Sequence, residues 1–190
     1  VRKRVVEDMN KSYFPVKTII PSTEIVHDRV MLELFRGCIR GCRFCQAGYV
    51  YRPVRSRDPK QLAEYGKAAC EDSGYQEMTL SSLSSTDYPC LLELCDDLLD
   101  YCAPRDIGLS LPSLRADTFS MNLMERLQRV RKGGLTFAPE AGTQRLRDAI
   151  NKNVTEEDLL TSCRTAFSGR MDDAVGDGDA ALLFAFVANG

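Results

Sequence analysis

The sequence predicts an α/β protein, a parallel sheet with helices outside. Short apolar stretches suited to buried strands alternate with longer amphipathic stretches suited to helices. The strands begin near residues 30, 77, 107 and 135, about one strand-helix unit apart once a long loop after the first is allowed for, as parallel crossovers require. At 190 residues and 44% hydrophobic, the chain suits one domain with a real core and is too short for a complete large barrel.

The elements follow in order. Residues 1–28 hold Tyr13 to Pro21, punctuated by Pro15 and Pro21, and read as an extended segment packed across the end of the domain. His27, the single histidine, precedes the first strand and suits a structural or solvated place better than a catalytic one. Val30 to Phe35 is the first strand. Asp58-Pro59 opens a helix, with Asp58 as cap and Pro59 at the first helical position. Glu77 to Leu83 is the second strand, and Pro89 to Tyr101, with Leu91, Leu92, Leu94, Leu98 and Leu99, is a helix. Ile107 to Leu111 is the third strand. Asp117 to Lys132 is expected to be a helix stopped by Gly133-Gly134. Leu135 to Ala138 is the fourth strand, Thr143 to Ile150 a helix, and Thr155 caps a last helix with an acidic first turn that runs through Phe167.

Between the first strand and the first long helix lies Arg36-Gly37-Cys38-Ile39-Arg40-Gly41-Cys42-Arg43-Phe44-Cys45. Its C-x3-C-x2-C spacing can turn three soft thiolates toward one centre, a ligand type that suits iron-sulfur clusters or zinc. A 4Fe-4S cluster normally takes four cysteines, and one is missing locally. Half of a structural zinc site, or an electron-transfer cluster completed by a distant cysteine, would also need these thiols. Cys70, Cys90, Cys95, Cys102 and Cys163 form no second C-x2-C group, and Cys90, Cys95 and Cys102 fall in an apolar helical pattern where cysteine behaves as a small hydrophobe. Residues 36–60 carry seven Lys or Arg against one Asp. That run would surround an anionic cluster with positive charge, bind a phosphorylated or nucleic-acid substrate, or simply be solvated.

With Phe44 at the aromatic place, the motif resembles the C-x3-C-x-aromatic-C signature of the radical S-adenosylmethionine superfamily. The resemblance implies a partial (β/α) barrel of that type, in which Cys38, Cys42 and Cys45 are metal ligands holding three irons of a 4Fe-4S cluster. S-adenosylmethionine would chelate the fourth iron and be cleaved reductively to a 5'-deoxyadenosyl radical. The segment Thr136-Phe137-Ala138-Pro139-Glu140-Ala141-Gly142-Thr143, continuing to Ile150-Asn151-Lys152, looks like the fourth-strand segment of members related to methylthiotransferases and cobalamin-associated enzymes. By that likeness Glu140 contacts the ribose or amino group of the cofactor, although it also suits the start of a helix. Phe44 would lie beside adenine through its backbone. Ser110 and Arg115 match polar positions that reach the ribose or carboxylate, and arginine suits a carboxylate through paired hydrogen bonds. Where the family has a glycine-rich grip on the methionine amino group, this chain has Ser81, Ser82, Ser84 and Ser85, with Ser82 the assigned contact. The run from Tyr13 to Phe167 looks like an uncharacterised branch often built with a cobalamin-binding-like domain upstream, and cobalamin dependence does not carry over with the likeness. The implied partner is a reductant such as flavodoxin or ferredoxin, and the basic run admits RNA as a substrate class.

A formal net charge of −2 gives no whole-chain argument for nucleic acid, and no apolar run approaches a membrane span, so no membrane partner is expected. Val1-Arg2-Lys3-Arg4 leads into no apolar signal core, which favours a cytoplasmic, reducing setting with free thiols. A first residue of valine predicts upstream sequence. Residues 171–190 hold four Asp and no Lys or Arg, and lack the expected fifth-strand pattern, which predicts a truncated or frame-shifted end. The expected organisation is therefore an extended segment over 1–28, a barrel core over 29–168 and an atypical tail over 169–190. An alternative reading is a truncated, non-catalytic metal- or cluster-binding fragment.

Overall fold

The computed structural model describes residues 3–127, 129–130, 135–171 and 182–186. Strand β1 (Val30–Glu33) pairs in parallel with β4 (Glu77–Ser81), and β4 with β5 (Gly108–Ser110). A parallel bridge between Leu114 and Phe137 leads to β6 (Leu135–Glu140), which pairs in parallel with β7 (Leu182–Phe186). The strands therefore follow one another in chain order, as in the wall of a partial α/β barrel.

The first strand differs from the sequence expectation. The run from Val30 breaks at Leu34, and β2 (Phe35–Arg36) pairs antiparallel with β3 (Arg55–Ser56). This short ladder ties together the two ends of the loop that carries the cysteines. β7 was not expected either, because composition masked its strand character; it covers only Leu182–Phe186, and the rest of the tail after Met171 lies outside the described residues.

Helix α1 spans Gln46–Val50, within the cysteine loop. α2 (Pro59–Ser73) begins as the sequence predicts: the Asp58 carboxylate accepts the N–H groups of Lys60 and Gln61 at 3.0 and 3.2 Å. α3 (Leu91–Cys102) buries Leu91, Leu94, Cys95, Leu98, Leu99 and Cys102, one continuous stripe at helical spacing, and leaves Leu92 outward. Against it lie Leu32, Leu62, Met78 and Leu80, all fully buried, which form the layer between sheet and helices.

The expected helix from Asp117 is shorter. Ala116–Thr118 is a 3₁₀ turn and α4 runs only over Met121–Leu127, started by the Ser120 hydroxyl accepting the N–H of Leu123 at 3.3 Å. Asp117 does not cap it because its carboxylate is held by two arginines described below. The Gly133-Gly134 stop lies outside the described residues. α5 (Gln144–Ala149) is capped by Thr143, and α6 (Glu156–Met171) by Thr155, whose hydroxyl accepts the N–H of Asp158 at 3.1 Å while Asp158 accepts the N–H of Thr155 at 2.8 Å.

The N-terminal segment packs on this frame. A 3₁₀ turn at Met9–Lys11 buries Met9, and the Phe14 ring stacks on Tyr65 at 4.8 Å. His27 is exposed, in keeping with a solvated place. Among the described residues no helix is long and apolar enough to cross a membrane.

Candidate cluster and cofactor site

The cysteine loop leaves β2 at Gly37, where φ is +92°. A side chain there would meet the carbonyl oxygens of Tyr51 and Pro53 at 2.8 and 2.9 Å, so the loop can fold back on itself only with glycine at this point. Cys38 and Cys42 are buried and Cys45 is half-buried. The N–H of Arg40 donates to the sulfur of Cys38, and that of Gly48 to the sulfur of Cys45, each at 3.4 Å. Cys45 is thus the cap of α1, and its sulfur sits in the positive field of that short helix's exposed N–H groups.

All three cysteines line one cavity of about 290 Å³ at the carboxyl ends of the strands. Its wall continues through Leu83 and Ser84 after β4, Pro112 to Arg115 after β5, Ala138 and Glu140 on β6, and Lys152 after α5. This is the rim where ligands gather in parallel α/β folds. Among the described residues no three His, Cys, Asp or Glu side chains converge as one metal ion requires. The other cysteines do not reach the cavity. Burial pushes the Cys70 and Cys102 thiols up to about 11 and Cys95 to about 12, which marks them as core residues rather than ligands.

Charge around the cavity is arranged in pairs. Arg40, inside the cysteine motif, donates to both oxygens of Asp87, from the loop after β4, and to Asp117 at 3.1 Å, from the loop after β5. Arg115 donates twice to the same Asp117, at 2.8 and 3.1 Å, and to the Lys152 carbonyl at 3.0 Å. Burial works to raise the Asp87 carboxyl, but hydrogen bonds from Arg40 and Ser84, with the charges of Arg40 and Arg115, outweigh it and hold the group below the usual carboxylate range. Glu140 sits at φ +69°, a conformation uncommon outside glycine, and its carboxylate meets the Lys152 ammonium at 3.1 Å. That ammonium also stands 6.0 Å above the Phe44 ring. Pro139, which lacks an N–H, coincides with the register shift in β6 that turns Glu140 into this position.

Of the residues the sequence singled out, Cys38, Cys42, Phe44, Cys45, Arg115 and Glu140 share this cavity. Ser82 lines a neighbouring cavity of about 280 Å³ with Glu33, Arg36 and Tyr51, and its hydroxyl bonds that of Ser85 at 3.0 Å. From the same loop it is Ser84 that faces the cysteines. Ser110 stands on β5 opposite Thr79 and is not part of either wall. Arg115, expected to hold a cofactor carboxylate, spends its donors on Asp117 and Lys152. The basic run is likewise engaged: Arg36 pairs with Glu33 at 2.8 Å, while Arg43, Arg52, Arg55 and Arg57 bond main-chain carbonyls. Sequence reasoning missed Arg40 and Lys152 as wall residues, whereas Ser84 was one of the four serines it named; for Arg40 the signal was its place between two cysteines of the motif, and for Lys152 its place at the end of the fourth-strand segment.

A cavity walled by three loop cysteines thus opens at the carboxyl rim of a parallel sheet running in chain order, on a partial α/β barrel. The chain belongs to the Radical SAM superfamily, whose family model matches residues 32–178. It is similar to the uncharacterised protein MJ0966 of Methanocaldococcus jannaschii, at 38% identity over 132 residues, covering 70% of this chain and 28% of that protein. It is also similar to the putative methylthiotransferase MJ0865 of the same organism, at 23% identity over 168 residues, covering 84% of this chain and 37% of that protein. The chain therefore spans about a third of the length of these curated relatives. Among solved structures it resembles TsrM of Kitasatospora setae, a radical S-adenosylmethionine methyltransferase with cobalamin and a 4Fe-4S cluster bound, with a TM-score of 0.62 and 10% identity over 83% of this chain and 30% of that one. OxsB, a cobalamin-dependent S-adenosylmethionine radical enzyme, gives a TM-score of 0.56 and 16% identity over 83% of this chain and 23% of that one. At these identities the likeness establishes the fold, an α/β parallel sheet with helices.

Proposed function

We propose that this chain is the cluster-bearing core of a radical S-adenosylmethionine enzyme, with Cys38, Cys42 and Cys45 each giving one thiolate to one iron of a 4Fe-4S cluster. The observation that carries this is the wall of the cavity: Cys38, Cys42 and Cys45 share it with polar residues from three later segments, Ser84, Ser113 and Arg115, and Glu140 with Lys152. When bound, the cluster and S-adenosylmethionine supply the electron transfer and sulfonium cleavage that yield a 5'-deoxyadenosyl radical. The chain's own residues bind, orient and exclude water. Phe44 and Leu83 give the cavity apolar walls. Glu140, turned inward by its backbone, can accept hydrogen bonds from the ribose hydroxyls or amino group, while Lys152 holds it in place. Arg40 and Arg115, neutralised by Asp87 and Asp117, tie the loops after β4 and β5 to the cysteine loop and so fix the shape of the cavity.

Residues 29–168 form the core in this reading, with 1–28 docked against it. An external reductant of flavodoxin or ferredoxin type supplies the electron, and a reducing setting such as the cytoplasm keeps the thiols free.

The test is anaerobic reconstitution with iron and sulfide, followed by reductant and S-adenosylmethionine and quantitation of 5'-deoxyadenosine. Formation of the nucleoside, abolished by Cys42→Ser, is expected. Cluster uptake without cleavage would favour a non-catalytic fragment, and zinc retention without iron uptake would overturn both cluster readings.

A further inference from the structure

The cysteine loop is held from a distance by one short turn, residues 149–152, just after α5. The side-chain amide of Asn151 donates to the Gly41 carbonyl at 2.8 Å, across 110 residues of chain. The N–H of Arg43 donates to the Ile150 carbonyl at 2.9 Å, and the Arg43 guanidinium to the Ala149 carbonyl at 2.5 Å. The Arg115 guanidinium reaches the Lys152 carbonyl at 3.0 Å, and the Lys152 ammonium reaches Glu140. A single turn thus touches the segment between Cys38 and Cys45, the loop after β5 and the end of β6.

Asn151 is suited to this work twice over. Its φ is +55°, the left-handed region that asparagine tolerates better than other residues with a side chain. Its amide nitrogen would lie 3.0 Å from a Cβ placed on Gly41, so the glycine leaves the Asn151 side chain room to reach the loop. The bond is also well placed. Gly41 directly precedes Cys42, and Arg43 directly follows it, so the turn grips the peptide units on both sides of the middle thiol.

We propose that Asn151 is a positioning residue for Cys42: the turn after α5 clamps the cysteine loop and presents the middle thiol in the spacing a cluster needs. The inference rests on the cluster reading for its purpose, but the clamp itself acts on the bare chain. It places in one turn the link between cluster ligands and the proposed cofactor residues Glu140 and Arg115.

Two variants test it. Asn151→Gly keeps the left-handed backbone and removes only the side-chain donor, and Gly41→Ala presses on the same bond from the loop side. In the cluster-free protein, the rate of iodoacetamide labelling at Cys42 would be followed by mass spectrometry, with Cys95 as buried control. Loss of one hydrogen bond of ordinary strength should speed labelling of Cys42 by about fivefold in Asn151→Gly, with Cys95 still protected. After anaerobic reconstitution, the same variant should lose iron to a chelator faster by a similar factor and show an altered cluster EPR signal on adding S-adenosylmethionine. Unchanged labelling of Cys42 in both variants would overturn the clamp, whether or not the wild-type chain takes up a cluster. A wild-type chain that takes up no cluster, with Cys42 labelling still accelerated, would retain the clamp and remove the cluster reading. Equal acceleration at Cys42 and Cys95 would mean general loosening and would also overturn it.

Discussion

Replacing Gly37 with alanine separates backbone strain from close approach, because the protein carries its own control. Gly37 and Gly74 both have positive φ, +92° and +73°. A Cβ at Gly74 has nothing within 4 Å, whereas one at Gly37 meets main-chain atoms of Tyr51, Pro53 and Val54 at 2.8, 2.9 and 3.1 Å. Gly74→Ala should therefore lose only the left-handed penalty of about 1–2 kcal/mol. Gly37→Ala adds forced overlap with backbone that cannot swing aside, worth about 1–3 kcal/mol, for a total of roughly 2–5 kcal/mol. Urea unfolding followed by circular dichroism measures both. Because Cys38 is the next residue, iron content after reconstitution should fall in Gly37→Ala and stay at the wild-type level in Gly74→Ala. Equal losses of stability in the two variants, with equal iron, would refute the argument that the loop's return path excludes a side chain.

Four further outcomes follow from the same geometry. Cys38→Ser, Cys42→Ser and Cys45→Ser should each reduce bound iron sharply, while Cys95→Ala leaves it unchanged; iron and sulfide analysis checks this. In the native chain at pH 8, Cys70, Cys95 and Cys102 should resist alkylation, since their thiols titrate near 11 to 12, and label only on unfolding. The Asp87 carboxyl is held below its ordinary value, so its contribution to stability is present at neutral pH, complete above the usual carboxylate range, and lost as acid carries the solution down through its lowered value. Melting temperatures from pH 3 to 6 should accordingly fall less steeply in Asp87→Asn than in the wild type. Arg147 is buried and donates to the carbonyls of Val154 at 2.9 Å and Ala141 at 3.0 Å; Arg147→Met should destabilise by about 2–4 kcal/mol by leaving both acceptors unpaired, as read by urea midpoint.

The parallel sheet and the three cysteines of the cavity were legible because their signals are local. Asp58-Pro59 announces α2, the leucine spacing announces α3, and C-x3-C-x2-C needs no neighbour to be seen. What escaped depends on partners far along the chain. Asp117 has the chemistry of a helix cap, yet Arg40, from 77 residues earlier, claims its carboxylate and the helix starts later. The β2–β3 ladder has two residues on each side, too few to show a period. Ser82 and Ser84 are of one type in one loop, and only the turn between them decides that Ser84 faces the cysteines. Lys152 and Asn151 are ordinary polar residues until the fold brings them to Phe44 and Gly41.

Arg40 occupies one of the freely variable positions of the cysteine signature, yet its guanidinium knots together the first three rim loops through Asp87 and Asp117. Without this spacer residue Asp117 would still have Arg115, but Asp87 would lose the guanidinium that holds both of its oxygens.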